Sequence, residues 1–394
     1  LEGTGEPIEY AVKMRRFDEA GRLDRVCARG ELRPAHLTDL ADTLAAFHQA
    51  AAVAPPGSHW GLPREVLGPT RDNFADLRQH LPQVDLKPRL AALQGWTEAQ
   101  FGQIRPMLMQ RKRRGCVREC HGDLHLANMV LIDQRVRLFD CIEFSEDLRW
   151  IDVASDIGFA YVDLLAHAQP GLGNWFLNQV LSRSGDYQVA QVLRFYAVYR
   201  ALVRAKVAAL GLNPAPGAAT EAMAYLALAE QLVVPPPVRL VITHGLAGCG
   251  KTWATDAWLQ HDTCARTLRL RADVERKRLF DLDSAACSHS PTGGGIYDAP
   301  AHARTYARLH TLANSLLRAG WSVVVDATFL KRSDRAAFAS LARGLGVPFC
   351  ILAPQATPQQ LHMRILARQA KGGDASEATL AVLAQQMQDM EPLD

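Results

Sequence analysis

Between Val238 and Leu259 the chain reads VRLVITHGLAGCGKTWATDAWL. A short apolar strand, Val238–Thr243, runs into Gly245-Leu246-Ala247-Gly248-Cys249-Gly250-Lys251-Thr252, and a helix follows over Trp253–Leu259. The spacing G-x-x-x-x-G-K-[ST], with a strand before it and a helix after it, is a phosphate-binding loop. Gly245, Gly248 and Gly250 let backbone amides close around phosphates, and the helix N-terminus adds positive potential. Lys251 is placed to reach the β- and γ-phosphates, and Thr252 to hold Mg²⁺. The plainer alternative, a glycine-rich turn, explains neither the lysine nor the hydroxyl beside it. A loop of this kind demands a parallel α/β sheet, and that requirement constrains the fold more than any other stretch of the chain.

In open α/β sheets ligands bind at the carboxyl ends of the strands. Thr267–Leu270 reads as a second strand, followed by Arg271-Ala272-Asp273, and Trp321–Val325 as a third, ending in Asp326. Asp273 is a candidate acceptor base for a substrate hydroxyl. Asp326 is a candidate Walker-B-like acid, holding Mg²⁺. Either could instead cap a helix, which aspartate does well. The helix Pro358–Lys371 carries Arg364 and Arg368 four residues apart, hence on one face. Such arginines can lie solvated, or close over a transferred phosphoryl group. Arg332 and Arg335 are weaker candidates, and Gly372–Glu377 reads as a hinge into a last capping helix.

A second constellation lies earlier, in Val117–Phe144. Met129–Ile132 and Val136–Phe139 read as two short strands joined at Asp133-Gln134. The hairpin brings Asn128 near Asp140, with Asp123 in the loop just before. Carboxylates gathered without a cationic partner are expensive, and bound Mg²⁺ removes that cost. Cys116, Cys120, His121 and His125 invite a zinc reading, but all four crowd one strand-to-loop segment, whereas zinc sites gather ligand pairs from separate elements.

His121-Gly122-Asp123-Leu124-His125-Leu126-Ala127-Asn128 followed by Phe139-Asp140-Cys141 resembles the catalytic core of the aminoglycoside phosphotransferase family, relatives of the protein kinases. The resemblance implies that Asp123 is the base, that Asn128 and Asp140 bind metal, and that Lys13, on a strand over Ile8–Phe17, contacts the α- and β-phosphates of ATP. Glu19, Asp24 and Glu31 are candidate partners for Lys13. Only Gly3 and Gly5 stand where a glycine-rich loop is expected, so the kinase-like domain is read with a truncated N-lobe. An aspartate in the place of Asp152 often braces the catalytic loop in that family. The helices Asn174–Ser184, Tyr187–Leu210 and Thr220–Leu232 form the substrate subdomain. Their few acids, Asp163, Asp186 and Glu221, argue against a cationic aminoglycoside.

The later half resembles P-loop kinases of the gluconate kinase, zeta toxin and polynucleotide kinase type. The two halves together resemble bacterial bifunctional aminoglycoside phosphotransferase/ATP-binding proteins. The expected fold class is α/β and α+β in two domains: a protein kinase-like domain over 1–232, a Pro-rich linker over 233–238, and a P-loop domain with a parallel sheet over 239–394. The resemblance implies ATP and Mg²⁺ as cofactors. It also implies γ-phosphoryl transfer to a small hydroxylated acceptor of sugar, amino sugar or nucleotide class. The alternative is one kinase site beside a nucleotide-binding domain that serves as a regulatory switch or scaffold.

With 394 residues there is room for two domains, and a net charge of +3 gives no general argument for a nucleic acid or membrane partner. The basic run Arg111-Lys112-Arg113-Arg114 is expected at a solvated helix end, where cations suit the dipole. His48 is expected at a core edge. The eight cysteines form no C-x-x-C pair, which favours reduced thiols and a cytoplasmic setting. No apolar run approaches the length of a transmembrane helix, and no signal peptide is expected from these residues, which open on Leu1 rather than Met.

Overall fold

A computed structural model describes residues 16–81, 86–211, 218–234, 237–291, 293–371 and 375–393. Lys13 and the glycines before it lie outside the described residues, as does half of the segment read as a hinge at 372–377. The first part of the chain is mostly helical: α1 (Leu23–Ala28), α2 (Pro34–Ala50), α3 (Pro63–His80) and α4 (Leu86–Arg113) lead into β1 (Val117–Glu119). The hairpin β2 (Met129–Ile132) and β3 (Arg135–Leu138) comes next, then α5 (Glu146–Arg149) and β4 (Trp150–Asp152). Helices α6 (Val153–Ala166), α7 (Pro170–Ser184), α8 (Val189–Ala209) and α9 (Ala218–Val233) complete it.

The hairpin turns at Asp133 and Gln134, both with positive φ, as a two-residue connection matching strand twist requires. Met129 faces Leu138 across it, and Ile132 faces Arg135. Strand β1 pairs antiparallel with β4, so Trp150–Asp152 extends a ladder before the helix begins at Val153. Pro63 opens α3 at a position where its missing N–H costs nothing. Residues Val153–Leu164 of α6 are all buried, as befits a helix surrounded by others.

The second part alternates strand and helix: β5 (Leu240–Thr243), α10 (Lys251–Gln260), β6 (Thr267–Arg271), α11 (Ala272–Leu279), α12 (Ala299–Arg318), β7 (Ser322–Asp326), α13 (Arg332–Leu345), β8 (Phe349–Leu352), α14 (Pro358–Lys371) and α15 (Leu380–Asp389). Its four strands form one parallel sheet in the order β6-β7-β5-β8. Leu240–Thr243 is wholly buried, the near-continuous apolar run of a strand covered on both faces. The order places the carboxyl ends of β5, β6 and β7 side by side, and the phosphate loop, Asp273 and Asp326 all sit at that end.

The two parts share one apolar core. Helix α7 lies along β6, the sheet's edge. The Asn178 amide acts there as a short strand would: Nδ2 donates to Thr267 O at 2.8 Å, and Oδ1 accepts from Arg269 N at 2.7 Å. Asn174 Nδ2 donates to Leu259 O near the end of α10, and Tyr161 Oη to Ala265 O. Trp321 Nε1 returns a bond to Ala190 O on α8, and Arg278 one to Ser182 O. Burying backbone groups of an edge strand without partners is costly, so this seam is built rather than incidental. All eight cysteines are free. Among the described residues no helix is long and apolar enough to cross a membrane.

Candidate active sites

The loop between β1 and β2 is held by a carboxylate from α6. Asp156 Oδ1 accepts from Gly122 N at 3.0 Å, and Oδ2 accepts from His121 N at 3.2 Å and contacts His48 Nε2 at 3.0 Å. Burial pushes this carboxyl up most strongly, but the His48 hydrogen bond and charge, with His121 and Arg200, together more than reverse it, and Asp156 lies below the ordinary aspartate value. The bracing role expected of Asp152 thus belongs to Asp156, one helical turn on. Asp152 instead caps α6 through Ala154 N and pairs with Arg111 at 2.7 Å. Arg111 also reaches Asp186 at 2.9 Å and is fully buried, which corrects the expectation of a solvated basic run. Only Arg113 and Arg114 of that run are exposed.

Within the braced loop, Asn128 Nδ2 donates to Asp123 O at 3.0 Å and Oδ2 at 3.1 Å. His125 Nε2 stands 3.3 Å from the same Oδ2. Phe139 N donates to Asn128 O at 3.1 Å, so the hairpin carries Asp140 to within a residue of Asn128. Asp140 is exposed with φ 59°, a left-handed backbone that non-glycine residues rarely hold outside functional turns. Burial pushes the Asp123 carboxyl up. The His125 hydrogen bond and charge, with Arg200 and Arg204 on α8, more than reverse this, leaving it below its ordinary value. Asp123 is therefore ionised at neutral pH, able to orient a hydroxyl and accept its proton late.

The four candidate zinc ligands do not converge. His121 Nε2 bonds Phe139 O, His125 faces Asp123, and Cys120 Sγ contacts Ile151 O. His48, Cys120 and Asp156 do lie close together, and all are buried, but the Asp156 oxygens already serve the loop. The acids of the helical subdomain are engaged too. Asp163 accepts from Leu126 N and Tyr225 Oη, Asp186 from Arg111, and Glu221 from Arg204. Glu19, Asp24 and Glu31 pair with Arg25, Arg22 and Arg29.

The second site is a cavity of about 730 Å³ at the carboxyl ends of β5–β7, lined by Lys251, Thr252, Asp273, Asp326, Arg364 and Arg368 among others. Thr252 Oγ1 donates to Asp326 Oδ2 at 2.8 Å. Lys251 Nζ donates within its own loop, to Gly245 O and Leu246 O. Gly250 caps α10 with φ 101°, and Gly248 has φ 82°, a region a side chain rarely tolerates. A Cβ on Gly248 would also meet Leu361 O at 3.2 Å. Arg364 Nη1 donates to Gly248 O, so α14 already touches the phosphate loop, while Arg368 donates to Ala378 O before α15. Asp273 is the second residue of α11 and pairs with Arg276 Nη1 at 3.1 Å. Of the weaker candidates, Arg335 is buried against Phe329 O and Leu330 O, a structural placement. Sequence reasoning missed Arg276, Tyr297, His302 and Asp334, which also line the cavity. Arg276 was legible three residues beyond Asp273 on one helical face; Tyr297 had no such signal.

Residues 17–190 match the model of the phosphotransferase enzyme family, and residues 240–393 match the AAA domain model. The chain is therefore an ATP-dependent kinase-class enzyme in which a phosphotransferase domain precedes a P-loop kinase-like domain. That order of domains is the one of the fused phosphotransferase/P-loop proteins that the sequence resembles. It is 29% identical over 395 residues to "Uncharacterized protein Rv2004c" of Mycobacterium tuberculosis (strain ATCC 25618 / H37Rv) and to "Uncharacterized protein Mb2027c" of Mycobacterium bovis (strain ATCC BAA-935 / AF2122/97). Those alignments cover 98% of this chain and 77% of each relative. Proteins of the phosphotransferase family act on small hydroxylated substrates.

Proposed function

We propose that the chain is a bifunctional Mg-ATP-dependent phosphotransferase, with one transfer site in each domain and the divide between them at 233–238. The observation that carries this reading is the second cavity. It holds a phosphate loop, a hydroxyl–carboxylate pair for a cation and a carboxylate for an acceptor in one space of about 730 Å³, large enough for a nucleotide and a small acceptor together. Both sites offer the oxygen donors a hard divalent cation takes, Asn128 and Asp140 in the first and Thr252 and Asp326 in the second. Mg²⁺ bound there would supply neutralisation of phosphate charge.

In each site the acceptor hydroxyl oxygen attacks the γ-phosphorus. The new O–P bond forms as the bond from phosphorus to the β-bridging oxygen breaks, and the electron pair leaves with ADP. The hydroxyl proton passes to Asp123 in the first site and to Asp273 in the second. Lys251, and Lys13 in the first domain, hold phosphates. Arg364 and Arg368 face the charge that develops on the transferred group. The acceptors are hydroxylated small molecules. In the first site an aminoglycoside-like cation is disfavoured, because Asp163, Asp186 and Glu221 are committed to Tyr225, Arg111 and Arg204. A cytoplasmic setting fits a nucleotide-dependent enzyme with eight free thiols.

A transfer screen with ATP radiolabelled at the γ-phosphate, run on Asp123→Ala and Lys251→Ala variants in parallel, tests the reading. Each substitution is expected to abolish a different labelled product. If Lys251→Ala leaves every product unchanged, the second domain is no phosphotransferase. That outcome favours the second reading, in which the P-loop domain is an ATP-dependent switch on the first. The seam supports this alternative, because Tyr187 Oη of the first domain bonds Glu275 on α11, two residues from Asp273.

A further inference from the structure

Arg276 is 8% exposed. Among the described residues its contacts are one hydrogen-bonded ion pair, Nη1 to Asp273 Oδ1 at 3.1 Å, and stacking of its guanidinium 4.9 Å from the Tyr297 ring centroid. Its Nε is buried without a partner among the described residues, and so is the hydroxyl of Tyr297. Both residues line the second cavity, beside Asp273. A guanidinium presents five N–H donors in a fixed fork, suited to two parallel bonds with a carboxylate or phosphate. Asp273 takes one of the five. Leaving a buried donor unmet is costly, and here two of them, on one arginine and one tyrosine, stand at the same wall. Each such group in a native protein calls for an explanation, and a bound ligand that supplies the missing acceptor is one.

The carboxylates of the same cavity point the same way. Asp298 caps α12 through Ala301 N, and Asp334 pairs with His302 at 3.0 Å. Glu377 accepts from Ser288 and pairs with Lys277. Asp389 accepts from Gln385, and Asp326 from Thr252. Each lining acid already has a donor, so an ammonium group would find none of them unpaired. Among the described residues, the buried donors of this cavity that lack acceptors are Arg276 Nε and the Tyr297 hydroxyl.

We infer that the acceptor of the second site is an anionic hydroxylated molecule, whose carboxylate or phosphate seats on Arg276 and Tyr297 while its hydroxyl meets Asp273. This rests on the phosphotransfer reading of that site and names the substrate class it takes. Tyr297 serves as a neutral donor, and a slight turn of its ring on ligand entry brings the hydroxyl to the oxyanion. Arg276 then bridges two negative groups, the acceptor's anion and Asp273. This fixes the distance between them and selects acceptors by the separation of hydroxyl and anion.

The test is calorimetric titration of the full chain carrying Asp123→Ala, saturated with Mg-ADP, by four probes of similar size: gluconate, glucose 6-phosphate, sorbitol and glucosamine. At least one anionic probe is expected to bind at least tenfold more tightly than sorbitol and glucosamine. The gluconate and glucose 6-phosphate arms distinguish a carboxylate from a phosphate. Arg276→Gln is expected to remove that preference with Mg-ADP affinity unchanged, and Arg276→Lys to restore part of it. Unchanged nucleotide affinity also reports that the variants fold. Equal or tighter binding of sorbitol or glucosamine overturns the inference, as does anion binding indifferent to Arg276→Gln. Binding of no probe, with Mg-ADP binding intact, overturns it too and leaves the nucleotide site standing. Loss of Mg-ADP binding by the Asp123→Ala chain itself would instead defeat the phosphotransfer reading of the second domain.

Discussion

Asp156 shows how a single buried carboxylate sets the geometry of a site it does not enter. It faces His48, the backbone of His121 and Gly122, and the field of Arg200. Its folded-state value lies below the ordinary 3.8. Its stabilising contribution is therefore fully present above that ordinary value and is lost as pH falls through the lowered one. Asp156→Asn should cost about 2–3 kcal/mol near neutral pH, because one amide cannot serve three donors. The gap from the native chain should narrow below about pH 4. Urea unfolding at pH 7 and pH 3.5 measures both; a gap constant with pH would show that the carboxylate's charge is irrelevant. The loop it braces was readable because H-G-D-x-H-x-x-N fixes its own spacing. Asp156 was not, since its donors are 34, 35 and 108 residues away. Asp152, nearer the expected place, is taken by Arg111, whose burial no local pattern announced.

Among the elements, the phosphate loop and α14 act as a pair. Gly250 ends the loop at φ 101° and opens α10, and Arg364 from α14 bonds the carbonyl of Gly248. Gly250→Ala forces a side chain into left-handed backbone at a strain of about 1–2 kcal/mol. The expected outcome is at least tenfold weaker nucleotide binding, seen by titration with a fluorescent ATP analogue, while the thermal midpoint shifts by only a few degrees. Unaltered affinity would mean that the loop does not close on phosphate. Arg364→Ala should leave nucleotide affinity within a few-fold and slow transfer by at least a hundredfold, if the arginine meets charge that appears during reaction. The strand–loop–helix order of this region was legible because phosphate chemistry dictates both the residues and the period around them. Strand β8 was not singled out, for its run Phe349–Leu352 is only half buried at the sheet's other edge.

For the molecule as a whole, the seam decides what can be studied separately. Residues 237–393 alone would uncover β6, which in the whole chain is sealed by Asn178, and would strip Ala190 O from Trp321. An exposed flat edge strand invites pairing with another chain. The isolated segment is therefore expected to aggregate, by size-exclusion chromatography, at concentrations where the full chain is monodisperse. Asn178→Leu in the full chain should destabilise by about 2–3 kcal/mol, leaving an edge N–H and C=O unmet. A soluble, nucleotide-binding fragment would show the seam to be dispensable. None of this was visible in the sequence, where the prolines of the linker suggested two bodies joined by a stiff spacer. Amphipathic spacing says that a helix face is apolar, not which surface it meets.

The shared core also has a consequence for the cell. Two phosphate-handling sites welded through Asn178, Tyr161 and Trp321 are synthesised, folded and degraded as one object. Their copy numbers stay locked at one to one, and no change in expression can raise one domain without the other. Whatever difference there is between the two in action is set by the ligands they meet, never by dosage.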